Sequence, residues 1–224
     1  MALAIATNNA ALNAAASASS VNRDMETSMA RLSSGKRINS ASDDAAGVAI
    51  SSRLSAEIRG TDQAIRNSLD GQALIDTAEG AHKEIENILQ RMREVTIQAA
   101  NDTNNDQDRA NLQAEIEAMT TEIDRIAGTT TWAGADLMED ATTTFSFQVG
   151  AATGTQNQIA VTIKTMNATG LAVGTGSVST IDVETSGATA NAGTALIDAA
   201  IEDVNIQRSE LGAVSNRLNH TVNN

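Results

Sequence analysis

One apolar stripe constrains this chain more than any other feature. In residues 84–100, Ile85, Ile88, Met92, Val95 and Ala99 recur at steps of three and four, which places them on one face of a helix. Glu84, Glu86, Gln90, Arg91, Arg93, Glu94 and Gln98 occupy the other faces. The pattern returns at Leu112, Ile116, Met119, Ile123 and Ile126, and again at Ile197, Ile201, Val204, Leu211, Leu218 and Val222. A stripe this narrow cannot bury itself alone. Laid side by side, the stripes predict a mainly α fold: a long antiparallel helical bundle or coiled-coil rod, with these residues as its seam and a small β-hairpin region at one end.

Composition supports thin seams rather than a deep core. The chain of 224 residues has no Cys, no Pro, no Tyr, one Trp and two Phe. Its apolar content is mostly Ala with scattered Ile, Leu, Val and Met. Without Pro the helices run uninterrupted. Without Cys there is no disulfide, no thiol chemistry and no Cys-based metal site. The net charge of −13 and the sequence pI near 4.4 oppose binding to nucleic acid or to an anionic membrane surface. No apolar run approaches the ~20 residues of a membrane span. Residues 1–7 lack a basic start followed by an apolar block, so they do not read as a cleavable secretory signal.

Taken in order, residues 1–32 are rich in Ala, Asn and Ser, and Leu3, Leu12, Val21, Met25, Met29 and Leu32 form a loose helical stripe. Ala buries little area, so this segment is expected to be disordered alone and helical against a partner or further copies of itself. Ser33-Ser34-Gly35 ends the first helix, and Ser40 or Ser42 caps the next, with Asp43 and Asp44 in its first turn. The pattern then runs to Ala100, a rod of roughly 85 Å at ~1.5 Å per residue. Leu54, Ile58, Ile65 and Leu69 continue the stripe. Gly47, Gly60, Gly71 and Gly80 mark either close backbone approaches or kinks.

Residues 101–106 are a polar reversal, with Asn105 or Asp106 capping an antiparallel helix that stops at Gly128. From 129 to 193, Thr, Gly, Ser and Ala dominate. Phe145, Phe147 and Val149 alternate with polar residues, as do Ile159, Val161 and Ile163, which predicts a hairpin. Leu171, Val173, Val178, Ile181 and Val183 suggest further short extended pieces. The last helix starts near Thr194, and its stripe is still running at Asn224, as though the chain were cut within an element.

No constellation points to catalysis or to a cofactor. His82-Lys83-Glu84 is not a His-Glu-x-x-His zinc site, and His220 is the only other histidine. The Gly-rich stretches near Gly150 and Gly174 lack the Lys of a phosphate loop and read as turns. Asp43 and Asp44 point different ways on a helix, so they are not a paired-carboxylate site. No Gly-x-Ser-x-Gly elbow occurs. The sequence assigns no catalytic, cofactor-binding or metal residues.

Three segments resemble one family. Residues 31–50, Arg-Leu-Ser-Ser-Gly-Lys-Arg-Ile-Asn-Ser-Ala-Ser-Asp-Asp-Ala-Ala-Gly-Val-Ala-Ile, are similar to the N-terminal signature of bacterial flagellin. Residues 89–98, Leu-Gln-Arg-Met-Arg-Glu-Val-Thr-Ile-Gln, resemble that family's next most distinctive stretch. Residues 207–224, from Gln-Arg-Ser-Glu-Leu-Gly-Ala through Asn-Arg-Leu-Asn-His-Thr-Val-Asn-Asn, resemble its C-terminal segment. The likeness covers about 1–140 and 194–224, in the family's order.

The resemblance implies a short flagellin without outer domains or the C-terminal axial helix. Residues 1–32 would be the N-terminal axial helix, 33–43 a spoke linker, 44–128 the shaft helices, 129–193 the β-rich part of the shaft and 194–224 the truncated C-terminal shaft helix. It implies a self-assembling, extracellular subunit of the flagellar filament, a propeller for motility. Such subunits leave by flagellar type III export without a cleaved signal. Implied partners are other flagellin subunits, the flagellar export chaperone, and the hook-associated and cap proteins. Lacking its intrachain axial partner, the 224-residue chain is expected to polymerise poorly into native filaments. Subunit contacts are expected on the Ala, Ser, Asn and Gln faces of 1–32 and 44–80.

In the family, the vertebrate flagellin-sensing Toll-like receptor reads the shaft, and by position its contacts fall on Arg91, Val95 and Glu115. Val95 stands where recognised members commonly carry Leu, and its seam position competes with exposure. The same residues leave three other functions open. A hook–filament junction protein shares the axial-plus-shaft plan. A helical surface adhesin would hold its ligand through 141–193. A flagellin-embedded enzyme would need a metal motif that the sequence lacks.

Overall fold

The computed structural model describes residues 8–139, 142–171 and 176–223. Leu3, Val173 and Asn224, which entered the sequence expectations, lie outside them. Two compact units divide at Arg59 and Gly60.

In the first unit, helix α1 spans Asn9–Ser34. Asn8 caps it by accepting from the Ala11 N–H, and Gly35 ends it at φ 66, a left-handed conformation suited to glycine. The segment expected to be helical against a partner is helical here. Caps at both ends and a run of helix-favouring Ala hold the helix, although none of its residues is buried. Val21, Met25, Met29 and Leu32 share one face and are 58–83% exposed.

Helix α2 spans Ala45–Ala99 and is capped by Asp44, whose carboxylate accepts from the Gly47 N–H at 2.9 Å. The cap is therefore not Ser40 or Ser42. Those two hydroxyls bond each other at 2.7 Å, while Asp43 gathers the Asn39 and Ser40 N–H groups one turn before the helix. Ile50, Leu54 and Ile58 are about half exposed or more, so the stripe expected there is not a core seam of this chain.

The second unit is a three-helix bundle flanked by β structure. From Gly60 onward α2 buries Ala64, Ser68, Gly71, Leu74, Ile75, Ala78, His82, Ile85, Leu89, Met92, Val95, Thr96 and Ala99. Leu89 takes the core position that the sequence pattern gave to Ile88. Ile65 is half-buried and Leu69 is 49% exposed, which corrects the expected stripe. Small residues line this end of the face because other backbone comes close. A β-carbon on Gly71 would stand 3.3 Å from Leu218 and from Phe147, whereas one on Gly80 would meet nothing. Gly60 and Gly71 are thus close approaches, and none of the four glycines breaks the helix.

Helix α3 spans Asp106–Thr129 and opens with a capping box between Asn105 and Asp108. It lies antiparallel to α2, as the Arg91–Glu115 and Arg109–Ala99 bonds require. Its seam is Leu112, Ile116, Ile123 and Ala127, with Met119 and Ile126 half-buried. Helix α4 spans Gly187–Asn223, seven residues earlier than the expected start at 194, and is also antiparallel to α2 through Arg93–Asp198 and Gln72–Asn219. It buries Ile197, Ala200, Val204, Gln207, Leu211 and Leu218, whereas Ile201 and Val222 are half-buried. Between Val204 and Leu211 the seam position is filled by a polar residue, Gln207.

Strands β1 (Thr131–Trp132) and β2 (Ala135–Asp136) form a two-residue hairpin that the sequence reading missed. Its turn places Ala133 at φ 50 and Gly134 at φ 84, and only the glycine signals such a turn. Strands β3 (Thr143–Gln148) and β4 (Gln158–Ile163) pair antiparallel with Phe145 opposite Val161, as the alternation predicts. Ile159, Val161 and Ile163 face the core. Among the described residues the expected extended pieces beyond form no paired strand. Val178 lies in a single 3-10 turn, and Ile181 and Val183 are buried in coil. Their backbone is satisfied instead by Gln113 of α3, which accepts from the Val183 N–H and donates to the Ile181 carbonyl.

Candidate functional site

Arg91 and Glu115 meet on the surface of the bundle. The seam through Leu89, Met92, Val95 and Thr96 turns Arg91 outward on α2, and burial of Leu112 and Ile116 does the same for Glu115 on α3. The Arg91 Nε and Nη2 donate to Glu115 Oε1 at 3.1 and 2.9 Å, and Nη1 donates to Glu94 Oε2 at 2.9 Å. Hydrogen bonding to Glu115, then to Glu94, raises the Arg91 pKa above its ordinary value. The side chains are 55% and 40% exposed, so water screens the pair and its main effect is to fix geometry. The family resemblance names Arg91 and Glu115 and leaves Glu94 out of the cluster. The i,i+3 spacing of Arg91 and Glu94 was the available signal.

Val95 does not join them. Its exposure is 0%, and it belongs to the same core as Met92 and Ile116. The three positions drawn from the resemblance therefore separate into a surface pair and a seam residue beneath it. A buried methyl pair cannot touch a partner while the bundle is closed, which corrects the reading of Val95 as a direct contact.

Ile88 and Ile126 are half-buried because they line an open groove of ≈ 760 Å³ between α2 and α3, together with Asp76, Gly80, Glu84 and Glu122. Glu122 is held by Arg125 at 2.5 Å, and this hydrogen bonding lowers the Glu122 pKa.

The α2–α4 side carries ties that no sequence pattern announced. Arg208 of α4 donates to Glu79 at 2.7 Å and to Glu86 at 2.5 Å, spanning the turn of α2 that contains His82. Hydrogen bonding to Glu79 is the main reason the Arg208 pKa is raised. His82 is wholly buried, and neither ring nitrogen has a hydrogen-bond partner. Burial pushes its pKa down to about 4.

Among the described residues no group of three His, Cys, Asp or Glu side chains is placed to hold a metal ion. None of the described helices is long and apolar enough to cross a membrane. The Gly-rich stretch at 150–154 closes the β3–β4 hairpin, where Gln148 Nε2 donates to the carbonyls of Gly150 and Ala152. It is turn chemistry, as expected; Gly174 lies outside the described residues.

Residues 5–143 match the bacterial flagellin N-terminal helical region, and residues 194–224 match the bacterial flagellin C-terminal helical region. The chain is 43% identical to a flagellin of Halalkalibacterium halodurans over 89% of its own length and 71% of that protein. It is 42% identical to a Bacillus subtilis flagellin, covering 97% of this chain and 80% of that one. Against polar flagellin F of Vibrio parahaemolyticus it is 47% identical but spans only 46% of that protein. Among solved structures, Bacillus cereus flagellin aligns with a TM-score of 0.58 at 31% identity, over 71% of this chain and 88% of that one. A protein assigned as flagellar hook-associated, from Vibrio parahaemolyticus, aligns with a TM-score of 0.65 over 82% of this chain and 93% of that one. At 18% identity it shares the fold alone. The family matches at both ends of the chain, in order, agree with the identity to whole flagellins: the chain belongs to the bacterial flagellins, structural proteins of the flagellar filament rather than enzymes.

Proposed function

We propose that this chain builds its filament through two surfaces left uncovered in the single molecule. The carrying observation is α1: a 26-residue helix with no buried residue, yet with Val21, Met25, Met29 and Leu32 on one face. A soluble helix rarely keeps such a stripe in water without a partner. Further copies of the same chain supply it in a helical polymer, whose head-to-tail contacts repeat without closing. Ile50, Leu54 and Ile58 at the start of α2 form the second surface. On this reading the 60–223 bundle is the rigid rod, and small changes of register between rods set the filament's supercoil. Export chaperone, hook-associated and cap proteins would meet the chain before or at the ends of the polymer, and its place is outside the cell.

Immunogold electron microscopy with antibody against residues 129–193 tests this. Label along the length of helical appendages supports the filament subunit. Label confined to the filament base would instead favour a junction protein, and label scattered over the envelope an adhesin. The 42–43% identity to flagellins over most of their length supports the filament reading.

A second role rests on the Arg91–Glu115 pair. Its exposure and fixed geometry fit a contact for the vertebrate flagellin-sensing receptor, with Glu94 as a third polar group and Val95 as support from below.

A further inference from the structure

We propose that His82 makes the α2–α4 seam acid-sensitive: a wholly buried imidazole, flanked by the Arg208 clamp, has no acceptor for the second proton it would take up. The ring sits in the core with both nitrogens unpartnered, and its exposure is 0%. Glu79 lies one turn before it and Glu86 one turn after, and Arg208 reaches across from α4 to hold both. The charged groups that act on the ring oppose each other. Glu79 favours the imidazolium, Arg208 disfavours it, and burial outweighs both. Glu79 holds Arg208 through Oε1 at 2.7 Å, so a protonated ring that recruits this carboxylate competes with the clamp. The alternative is that the seam opens and water solvates the ring. Either response loosens α4 from α2 at the same place.

The direction follows from proton binding. The unfolded chain protonates this ring near pH 6.5, whereas the folded chain resists until about 4. Between those values the unfolded state holds more protons, so stability falls as pH falls through that window and is intact above it. From pH 7 to 4.5 the folded-to-unfolded ratio loses a factor on the order of a hundredfold through this residue. A carboxylate that titrates in the same range acts equally in a variant that lacks only the ring, so comparison isolates His82.

Urea unfolding of the full chain and of its His82→Leu variant at pH 7 and pH 4.5 reads the effect. The wild-type midpoint should drop by clearly more than that of the variant; equal drops overturn the proposal. Should the variant fail to fold, histidine Cε1–H NMR of the intact wild-type chain decides, with His220→Gln assigning the only other ring. The His82 signal should stay in its neutral position until the helical signal is lost. A ring that titrates in the ordinary imidazole range with helicity unchanged overturns the proposal.

Discussion

The side-chain amide of Gln207 in α4 donates to the carbonyl oxygen of Thr162 in β4 across 2.9 Å. Gln207 is wholly buried in a heptad position between Val204 and Leu211, and its Oε1 has no partner. The bond fastens the hairpin to the helical bundle. Replacing Gln207 with Ala removes the bond and leaves a cavity, and should cost about 2–3 kcal/mol in urea unfolding. Gln207→Leu keeps the volume and removes an unpaired oxygen, so it should cost less, about 1 kcal/mol, for the carbonyl left without its donor. A Leu variant as damaged as the Ala variant would mean that the bond, and not the packing, holds α4 to β4.

Arg91 and Val95 should separate recognition from stability. Arg91→Ala leaves the core untouched, so helicity and the unfolding midpoint should stay near wild type while signalling through the flagellin receptor falls. Val95→Ala should instead lower stability by about 1–3 kcal/mol, since it empties space in the closed seam. Receptor reporter assays beside circular dichroism check both. Unchanged signalling in Arg91→Ala would end the contact role proposed for that residue.

Two glycines of α2 should respond in opposite directions. Nothing lies within 4 Å of a β-carbon built on Gly80, so Gly80→Ala should raise stability by about 0.5–1 kcal/mol through helix propensity. Gly71 packs against Leu218 and Phe147, and Gly71→Val should destabilise by about 1–3 kcal/mol through overpacking. Thermal melts of the two variants, measured side by side, give the comparison.

The turn before α2 should loosen in acid. Asp43 accepts from the Asn39 N–H at 3.0 Å and the Ser40 N–H at 2.9 Å, and these bonds, chiefly that from Asn39, hold its carboxyl below the ordinary aspartate pKa of 3.8. The stabilisation is therefore present above that value and disappears as pH falls through the lower, folded one. The Asn39 and Ser40 amide shifts should move together below pH 3.8, and Asp43→Ala should abolish the shared transition.

Helix α1 offers a check on the assembly reading. With no buried side chain, its amides should exchange with solvent far faster in the single chain than those around Leu89 or Val204, and should become protected on polymerisation. Equal exchange rates in the two states would remove α1 from the interface.

The sequence alone determined the repeating parts. Steps of three and four in Ile85, Met92, Leu112, Ile116, Ile123, Val204, Leu211 and Leu218 declare buried helix faces, and all eight are buried. Alternation through Phe145 and Val161 declares a hairpin, and Gly35 and the Asn105–Asp106 step declare helix ends. Each of these is a local signal, because a helix or a strand imposes its own period on the residues it buries. Only tertiary structure decided the rest. Gln207 is core because a carbonyl of β4 waits opposite it, and Ile181 and Val183 need no strand because Gln113 serves their backbone. Ile50, Leu54 and Ile58 repeat like a seam yet lie exposed, since period shows that a face is apolar and not what covers it. The meeting of Arg91 with Glu115, the burial of Val95 and the Arg208 clamp around His82 follow from how α3 and α4 dock on α2. That docking sums weak contacts between residues far apart in sequence, and no local window of the chain encodes it.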